Sequence, residues 1–259
     1  MDVPTWEARR RSFGAAAARY DRVRPGYPPA ALHWILGDRR PGPDAPPAPG
    51  VGLRVLDLGA GTGILSRQLA DLGHQVIAVE PDAAMRALTG GRTAVGGTAE
   101  ALPFADSCVD AVLAGQAYHW FDTARAHPEI ARVLRPGGVF APLWNLRDES
   151  VPWVAELSRI ARQMGDRVVD IASRAELDFG PRFSAVQRAT FRCPTTHTAE
   201  SLLELVRSWS HYLTASPPVQ SAVEDTIREL AATHPDLTGR AEFELPYLTV
   251  AYRAYPLPS

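Results

Sequence analysis

From Leu53 to Trp144, short apolar runs alternate with segments whose apolar positions recur at helical spacing. Arg54-Val55-Leu56-Asp57-Leu58 predicts a strand ending at a glycine cluster, and Ile64 to Leu72 predicts a helix closed by Gly73. Gln75 to Val79 predicts a second strand and Ala83 to Leu88 a helix, followed by strands at Thr93 to Val95 and Val109 to Ala114. A helix at Ala124 to Leu134 is expected to stop at Pro136-Gly137-Gly138, before a strand at Val139 to Leu143. Alternation at this spacing implies βαβ units and a mostly parallel sheet with helices on both faces.

Outside this core the pattern changes. Ala15 to Tyr20 is strong helix-forming sequence, broken by Pro25, Pro28 and Pro29, and Ala30 to Leu36 begins a second helix. Residues 40–50 carry five prolines and two glycines in eleven positions, which predicts an exposed loop. Residues 151–179 and 198–233 are mainly helical by pattern, with Leu202, Leu205, Val206 and Trp209 forming a core stripe. Phe183 to Phe191 alternates like an edge strand, and Tyr247 to Tyr255 predicts a last strand between Pro246 and Pro256.

Composition narrows the chemistry. All 27 basic residues are arginine, so no lysine is available for Schiff-base or phosphate-loop chemistry. Against 29 acidic residues they leave a net charge of −2, which argues against a general nucleic-acid binder. Cys108 and Cys193 have no nearby cysteine partner, so they are expected to be buried, reduced thiols, and no metal site is proposed. The polar, Arg-rich start lacks the apolar core of a secretory signal, and apolar runs fall short of a membrane span. A cytoplasmic protein is expected. The sequence leaves its oligomeric state open.

The sharpest motif is Asp57-Leu58-Gly59-Ala60-Gly61-Thr62-Gly63, where a strand enters, glycines turn the chain and a helix leaves. A dinucleotide fingerprint would place its third glycine at position 64, where Ile64 stands. Asp57 is also out of place beside a pyrophosphate, but suits a ligand carrying an amine and a sulfonium. Glu80 ends the second strand 23 residues on, placed to accept hydrogen bonds from two ribose hydroxyls. Together with Val79-Glu80-Pro81 and Leu134-Arg135-Pro136-Gly137-Gly138, this segment resembles the class I S-adenosylmethionine (SAM) dependent methyltransferases, of the type 11 methyltransferase domain. The segments Tyr20 to Pro28, Gln116 to Asp122 and Leu143-Trp144-Asn145 are similar to the trans-aconitate methyltransferase-like subgroup of small-molecule enzymes.

The resemblance implies a Rossmann-like, doubly wound, seven-stranded sheet in one domain spanning residues 1–259. A helical lid would occupy 1–39, the SAM-binding core 51–145, a helical acceptor cap 151–233 and a final strand 246–256. Gly59, Ala60, Gly61, Thr62 and Gly63 would wrap the methionine part of SAM, with Asp57 near its ammonium group. Glu80 would hold the ribose, and Pro81 or Met85 would flank the adenine. Thr98, Ala99 and Glu100 match the adenine-contacting loop, with Thr98 where many relatives carry Asp. Gln116 and Ala117 would close the cofactor side, with Tyr20 and Arg24 from the lid, Arg24 on the SAM carboxylate. Tyr27, His119, Trp120, Trp144 and Asn145 would line the acceptor side.

His119 would either deprotonate a hydroxyl acceptor or orient an acceptor oxygen. Asp122 is expected to cap the following helix, and Arg147-Asp148-Glu149 to form a solvated turn. The expected reaction is transfer of a methyl group to an oxygen or nitrogen of a small molecule, with no nucleic-acid or membrane partner. Two alternatives stand beside it: a SAM-binding enzyme performing cyclisation or isomerisation, and a non-catalytic SAM-binding scaffold.

Overall fold

A computed structural model describes residues 21, 23–37, 52–89, 93–165 and 177–258. The expected helix at Ala15 to Tyr20, the candidate Tyr20 and the proline-rich stretch at 40–50 lie outside the described residues. In chain order the elements are α1 (Pro29–Leu36), β1 (Arg54–Leu58), α2 (Ile64–Asp71), β2 (Gln75–Val79), α3 (Ala83–Arg86), β3 (Ala94–Val95), β4 (Val109–Gly115), α4 (Thr123–Val133) and β5 (Leu134–Arg147). They continue with α5 (Pro152–Gln163), β6 (Gln187–Arg192), β7 (Thr195–His197), α6 (Ala199–Arg207), α7 (Ser210–Leu213), α8 (Pro217–Thr233), β8 (Phe243–Leu245) and β9 (Tyr247–Arg253). The chain divides into two compact units.

The sheet unit draws on Gly26–Asn145, Ser173–Phe191 and Thr249–Ser259. Its seven strands lie in the order β3-β2-β1-β4-β5-β9-β6. Neighbours from β3 through β5 are parallel, and Phe140 pairs antiparallel with Ala254 just past β9. Four of the five residues of β1 are buried, as expected of a central strand covered on both faces. One face presents Val55, Ala111, Leu113, Val139, Ala141 and Leu143 to Leu32 and Ile35 of α1 and to Leu65 and Leu69 of α2. The pleat turns Phe140 to the other side, where its ring meets His127 of α4 at 6.3 Å and Phe179 at 4.8 Å. β6 is the half-buried edge strand that its alternation implied.

The helical unit draws on Met1–Pro25, Leu146–Ala172 and Arg192–Leu248. Its core joins Trp153 and Leu157 of α5, Leu202, Leu205 and Val206 of α6, Trp209, and Ile227 of α8. The Leu202-to-Trp209 stripe is therefore core, as its spacing implied. Thr198 and Ser201 form a reciprocal capping box at the start of α6, and β7 pairs with β8 as a two-stranded ribbon. Among the described residues, no helix is long and apolar enough to cross a membrane.

Several expectations are corrected. Pro136-Gly137-Gly138 does not stop the chain before a new strand: β5 already begins at Leu134 and bulges through these residues, with pairing shifting from Val109↔Leu134 to Ala111↔Val139. Gly137, at φ +75°, accommodates the bulge. Asp122 occupies the N-cap of α4 but its side chain makes no capping bond; its backbone N–H donates to Glu100 Oε1 at 2.9 Å. The helix expected from 151 ends at Gln163, and residues 177–180 are irregular. Both cysteines are half-buried thiols rather than buried ones.

Candidate cofactor site at the switch point of the sheet

β1 is followed on one side by β2 and β3 and flanked on the other by β4, so the strand order reverses between β1 and β4. Crevices at such a reversal, outside the carboxyl ends of the strands, are where open α/β sheets take ligands. The glycine turn leaves β1 there. The backbone N–H groups of Gly59 and Ala60 both donate to Val79 O, at 2.8 and 3.1 Å, which ties the turn to the end of β2. Gly59, Gly61 and Gly63 all have left-handed φ, at +72°, +58° and +85°. At Gly59 the requirement is also spatial, because a Cβ would lie 2.6 Å from Ala117 Cβ. Above Gly61 the space is open, with only Met85 Cε within 4 Å of a would-be Cβ.

Two carboxyl groups flank this turn. Asp57 pairs across to Ala78 and Leu113 in the sheet and is 1% exposed. Ser66, one turn into α2, donates its hydroxyl to Asp57 Oδ2 at 2.6 Å. Burial pushes the Asp57 carboxyl from its ordinary 3.8 up to about 7; the side-chain and backbone hydrogen bonds from Ser66 pull it down, and the charge of Glu80 pushes it further up. Glu80 is pinned by backbone donors: Gly61 N–H to Oε2 and Asp82 N–H to Oε1, each at 2.9 Å. Those bonds use two of the roughly four acceptor positions of a carboxylate. A desolvated acid that a neighbouring cation would ionise, a pinned carboxylate at the tip of β2 and open space over Gly61 fit a ligand with an ammonium group and a ribose diol. The residues present therefore fit SAM.

The remaining cofactor candidates gather around the same strand ends. Met85 lies in α3, whose N-cap Asp82 accepts from Ala84 N and Met85 N at 2.9 Å; Pro81 precedes it. Thr62 is buried and its carbonyl accepts from Arg67 Nη1 at 2.8 Å. Thr98 forms an isolated bridge with Ala101, and Ala99 is buried. Glu100 spends one carboxylate oxygen on the Asp122 backbone. Gln116 adopts φ +56°, a strained value for a residue with a side chain, and is held by Gln116 N–H to Leu143 O (2.9 Å) and Gln116 Nε2 to Asn145 O (3.1 Å). Ala117 touches the turn through the Gly59 approach.

The 3₁₀ turn Tyr118–Trp120 carries the acceptor-side candidates. His119 is half-buried, and Trp144 Nε1 donates to its Nδ1 at 3.4 Å. With Nδ1 accepting, the proton of a neutral imidazole sits on Nε2, which makes that edge a hydrogen-bond donor. Trp120 is 40% exposed, whereas Trp144 is fully buried and stands behind His119. Asn145 acts as a brace: Nδ2 donates to Gly26 O at 2.9 Å, and Oδ1 accepts from Thr249 Oγ1 at 2.6 Å. Tyr27 is buried, its N–H and C=O paired with the two ends of the Gln68 amide at 2.8 and 2.9 Å, and its hydroxyl lies against Gly115. Arg24 falls in the helical unit.

Sequence reasoning missed Ser66, Gln68 and Thr249, because each is an ordinary polar residue whose role comes from a partner elsewhere. It also missed Tyr118, whose hydroxyl meets His127 Nε2 at 2.9 Å with the rings stacked, and which anchors the turn bearing His119. Arg147-Asp148-Glu149 is not a solvated turn. Arg147 lies on the Trp209 ring, Asp148 accepts from the hydroxyl and N–H of Ser150, and Glu149 pairs with Arg162 at 2.6 Å.

Comparison with known proteins agrees with this geometry. A family model described as a methyltransferase domain matches residues 56–141. An uncharacterized methyltransferase of Mycobacterium tuberculosis is 43% identical over 247 residues, covering 94% of this chain and 95% of the relative. A malonyl-[acyl-carrier protein] O-methyltransferase of Pectobacterium atrosepticum is 40% identical over 135 residues, half of each chain. Among solved structures, a candidate type II methyltransferase from Anaeromyxobacter dehalogenans superposes with a TM-score of 0.65 at 25% identity, over 91% of this chain and 99% of that one.

Proposed function

Because this chain belongs to the class I SAM-dependent methyltransferases, we propose that it moves a methyl group to an oxygen or nitrogen of a small molecule. Asp57, the Gly59–Gly63 turn, Glu80 and Met85 would hold SAM, which supplies a methyl group on an activated sulfonium. The observation that carries the assignment is the pairing of Glu80 with the backbone of the glycine turn beside the desolvated Asp57. Little chemistry is then left to the protein besides alignment, and proximity and orientation supply on the order of 7–11 kcal/mol in favourable cases.

His119 is the orienting group on the acceptor side. Its Nε2–H donor, set by Trp144, suits an acceptor oxygen that already carries a lone pair or a charge. An ionised carboxylate needs no base, and the likeness over half the chain to an enzyme named for O-methylation of a malonyl carrier protein supports an acid oxygen as acceptor. A near-neutral chain with scattered arginines favours a small acceptor over nucleic acid.

The test is transfer of labelled methyl from SAM to a panel of carboxylic acids, phenols and amines. Transfer to a carboxylic acid that continues in His119→Gln, which keeps a side-chain N–H donor, and drops at least tenfold in His119→Ala supports the reading. A stable SAM complex that methylates nothing in the panel sinks it.

A further inference from the structure

The helical unit holds a polar cluster that the methyl-donor site does not use. Arg147 is the last residue of β5, two positions after Asn145. Its guanidinium carbon lies 5.0 Å from the centroid of the Trp209 ring, and its Nε donates to Ser158 Oγ at 2.8 Å. Ser158 is fully buried on α5, and Trp209 is 1% exposed. These two contacts fix the guanidinium plane while Arg147 itself stays half-buried. Beside it, Trp209 Nε1 is buried with no hydrogen-bond acceptor, and the His211 ring sits 5.2 Å from the indole. A buried N–H without an acceptor is costly, and a ligand oxygen removes that cost.

A planar cation held flat on an aromatic ring, next to an indole donor lacking an acceptor, is arranged for an oxyanion. Arginine's fork matches carboxylate and phosphate oxygens, and stacking organises it before the ligand arrives. We propose that Arg147, set by Trp209 and Ser158, recognises an oxyanion of the methyl acceptor; this rests on the reading of the chain as a small-molecule methyltransferase. The recognised group is not the one methylated. An oxyanion paired with arginine is a weaker nucleophile, and methylating it would destroy its own binding contact. The acceptor class is therefore a molecule with one anionic group for Arg147 and a second oxygen or nitrogen that takes the methyl group.

Two measurements on the full chain test this. The first follows the indole N–H resonances by ¹H–¹⁵N spectroscopy, with the Trp209 signal identified by its loss in Trp209→Phe. Titration at constant ionic strength with succinate, and separately with phenyl phosphate, is expected to move that signal. The shift should vanish in Arg147→Met and persist, at least fivefold weaker in affinity, in Arg147→Lys. The arm that saturates distinguishes carboxylate from phosphate. A Trp209 signal that neither probe moves overturns the proposal, as does a shift that survives unchanged in Arg147→Met. The second measurement is kinetic: for acceptors carrying two anionic groups, Arg147→Met should raise KM at least tenfold while leaving KM for SAM and turnover of a neutral phenol within twofold. Equal losses on charged and neutral acceptors would reduce Arg147 to a brace and overturn the proposal. Anion binding without methyl transfer to any acceptor would leave the site standing and sink the functional reading instead.

Discussion

Asp57 in the sheet unit and Glu224 in the helical unit are both withdrawn from water, yet their acidities move in opposite directions. Asp57 receives a single side-chain donor, Ser66, and burial holds its carboxyl up at about 7. Glu224 receives Arg207 Nε and Nη2 at 2.8 and 2.6 Å, Arg228 Nη2 at 2.6 Å and the Tyr212 hydroxyl at 2.6 Å; hydrogen bonds from Arg207 and then Tyr212 hold it down at about 2. Glu224 is satisfied by its own protein, while Asp57 lacks a cation that a ligand would bring. Perturbed acids of the Asp57 kind mark sites of function, whereas paired acids of the Glu224 kind hold helices together.

The largest effect that would break this comparison concerns ligand affinity. Asp57→Ala and Glu80→Ala are each expected to raise the Kd for SAM at least ~100-fold, or about 2.7 kcal/mol, by calorimetry. Glu224→Gln should leave that Kd within twofold while lowering the melting temperature. SAM binding within threefold of wild type in both sheet-unit variants would remove the cofactor assignment.

Next in size is Gly59→Ala. Left-handed φ at +72° and a Cβ 2.6 Å from Ala117 Cβ predict a loss of about 2 kcal/mol in urea unfolding. Adding Ala117→Gly should recover the steric part and leave the backbone part.

The pH dependence sharpens the contrast further. Asp57, raised from 3.8 to about 7, contributes stability to the ligand-free protein that is fully present below pH 3.8 and declines as pH rises through about 7. Glu224, lowered from 4.5 to about 2, contributes stability present above pH 4.5 and lost as pH falls through about 2. Unfolding midpoints against pH should therefore flatten between 3.8 and 7 in Asp57→Asn, and between 2 and 4.5 in Glu224→Gln. SAM affinity should also rise by up to about tenfold per pH unit between roughly 5.5 and 7, since a bound cation ionises Asp57; a slope that persists in Asp57→Asn would refute this coupling.

The smallest effect tests the braces of the sheet unit. Asn145→Ala and Thr249→Val should each cost about 1 kcal/mol, and a double-mutant cycle should show them coupled, because one amide serves both Gly26 and Thr249. Additive losses would mean that the two bonds act separately.

Legibility of the site follows sequence distance. The glycine turn, Asp57 and Glu80 can be read directly, since a strand-turn-helix with left-handed glycines leaves a local signature and an acid at a strand tip is placed by the strand itself. Asn145 sits near the end of β5 where its motif implies, but its amide does not serve the acceptor side expected of it. That amide braces Gly26, 119 residues away, and Thr249, 104 residues away. Asp122 has a capping residue type without a capping bond. Arg147 reads as a solvent-facing turn residue because nothing nearby in sequence announces Ser158 or Trp209.

The sequence by itself determined the order of strands and helices, the mostly parallel sheet, the glycine turn and the two acids flanking it. These follow from side-chain periodicity and from φ values that glycine alone adopts cheaply, and both act over a few residues. Only the tertiary structure decided which polar groups are satisfied: that Asp57 is left short of a cation while Glu224 is not, that Trp144 sets the face His119 offers, and that Arg147 lies flat on Trp209. Burial, and the partner that relieves it, is a property of segments brought together from distant parts of the chain, and no local pattern encodes it.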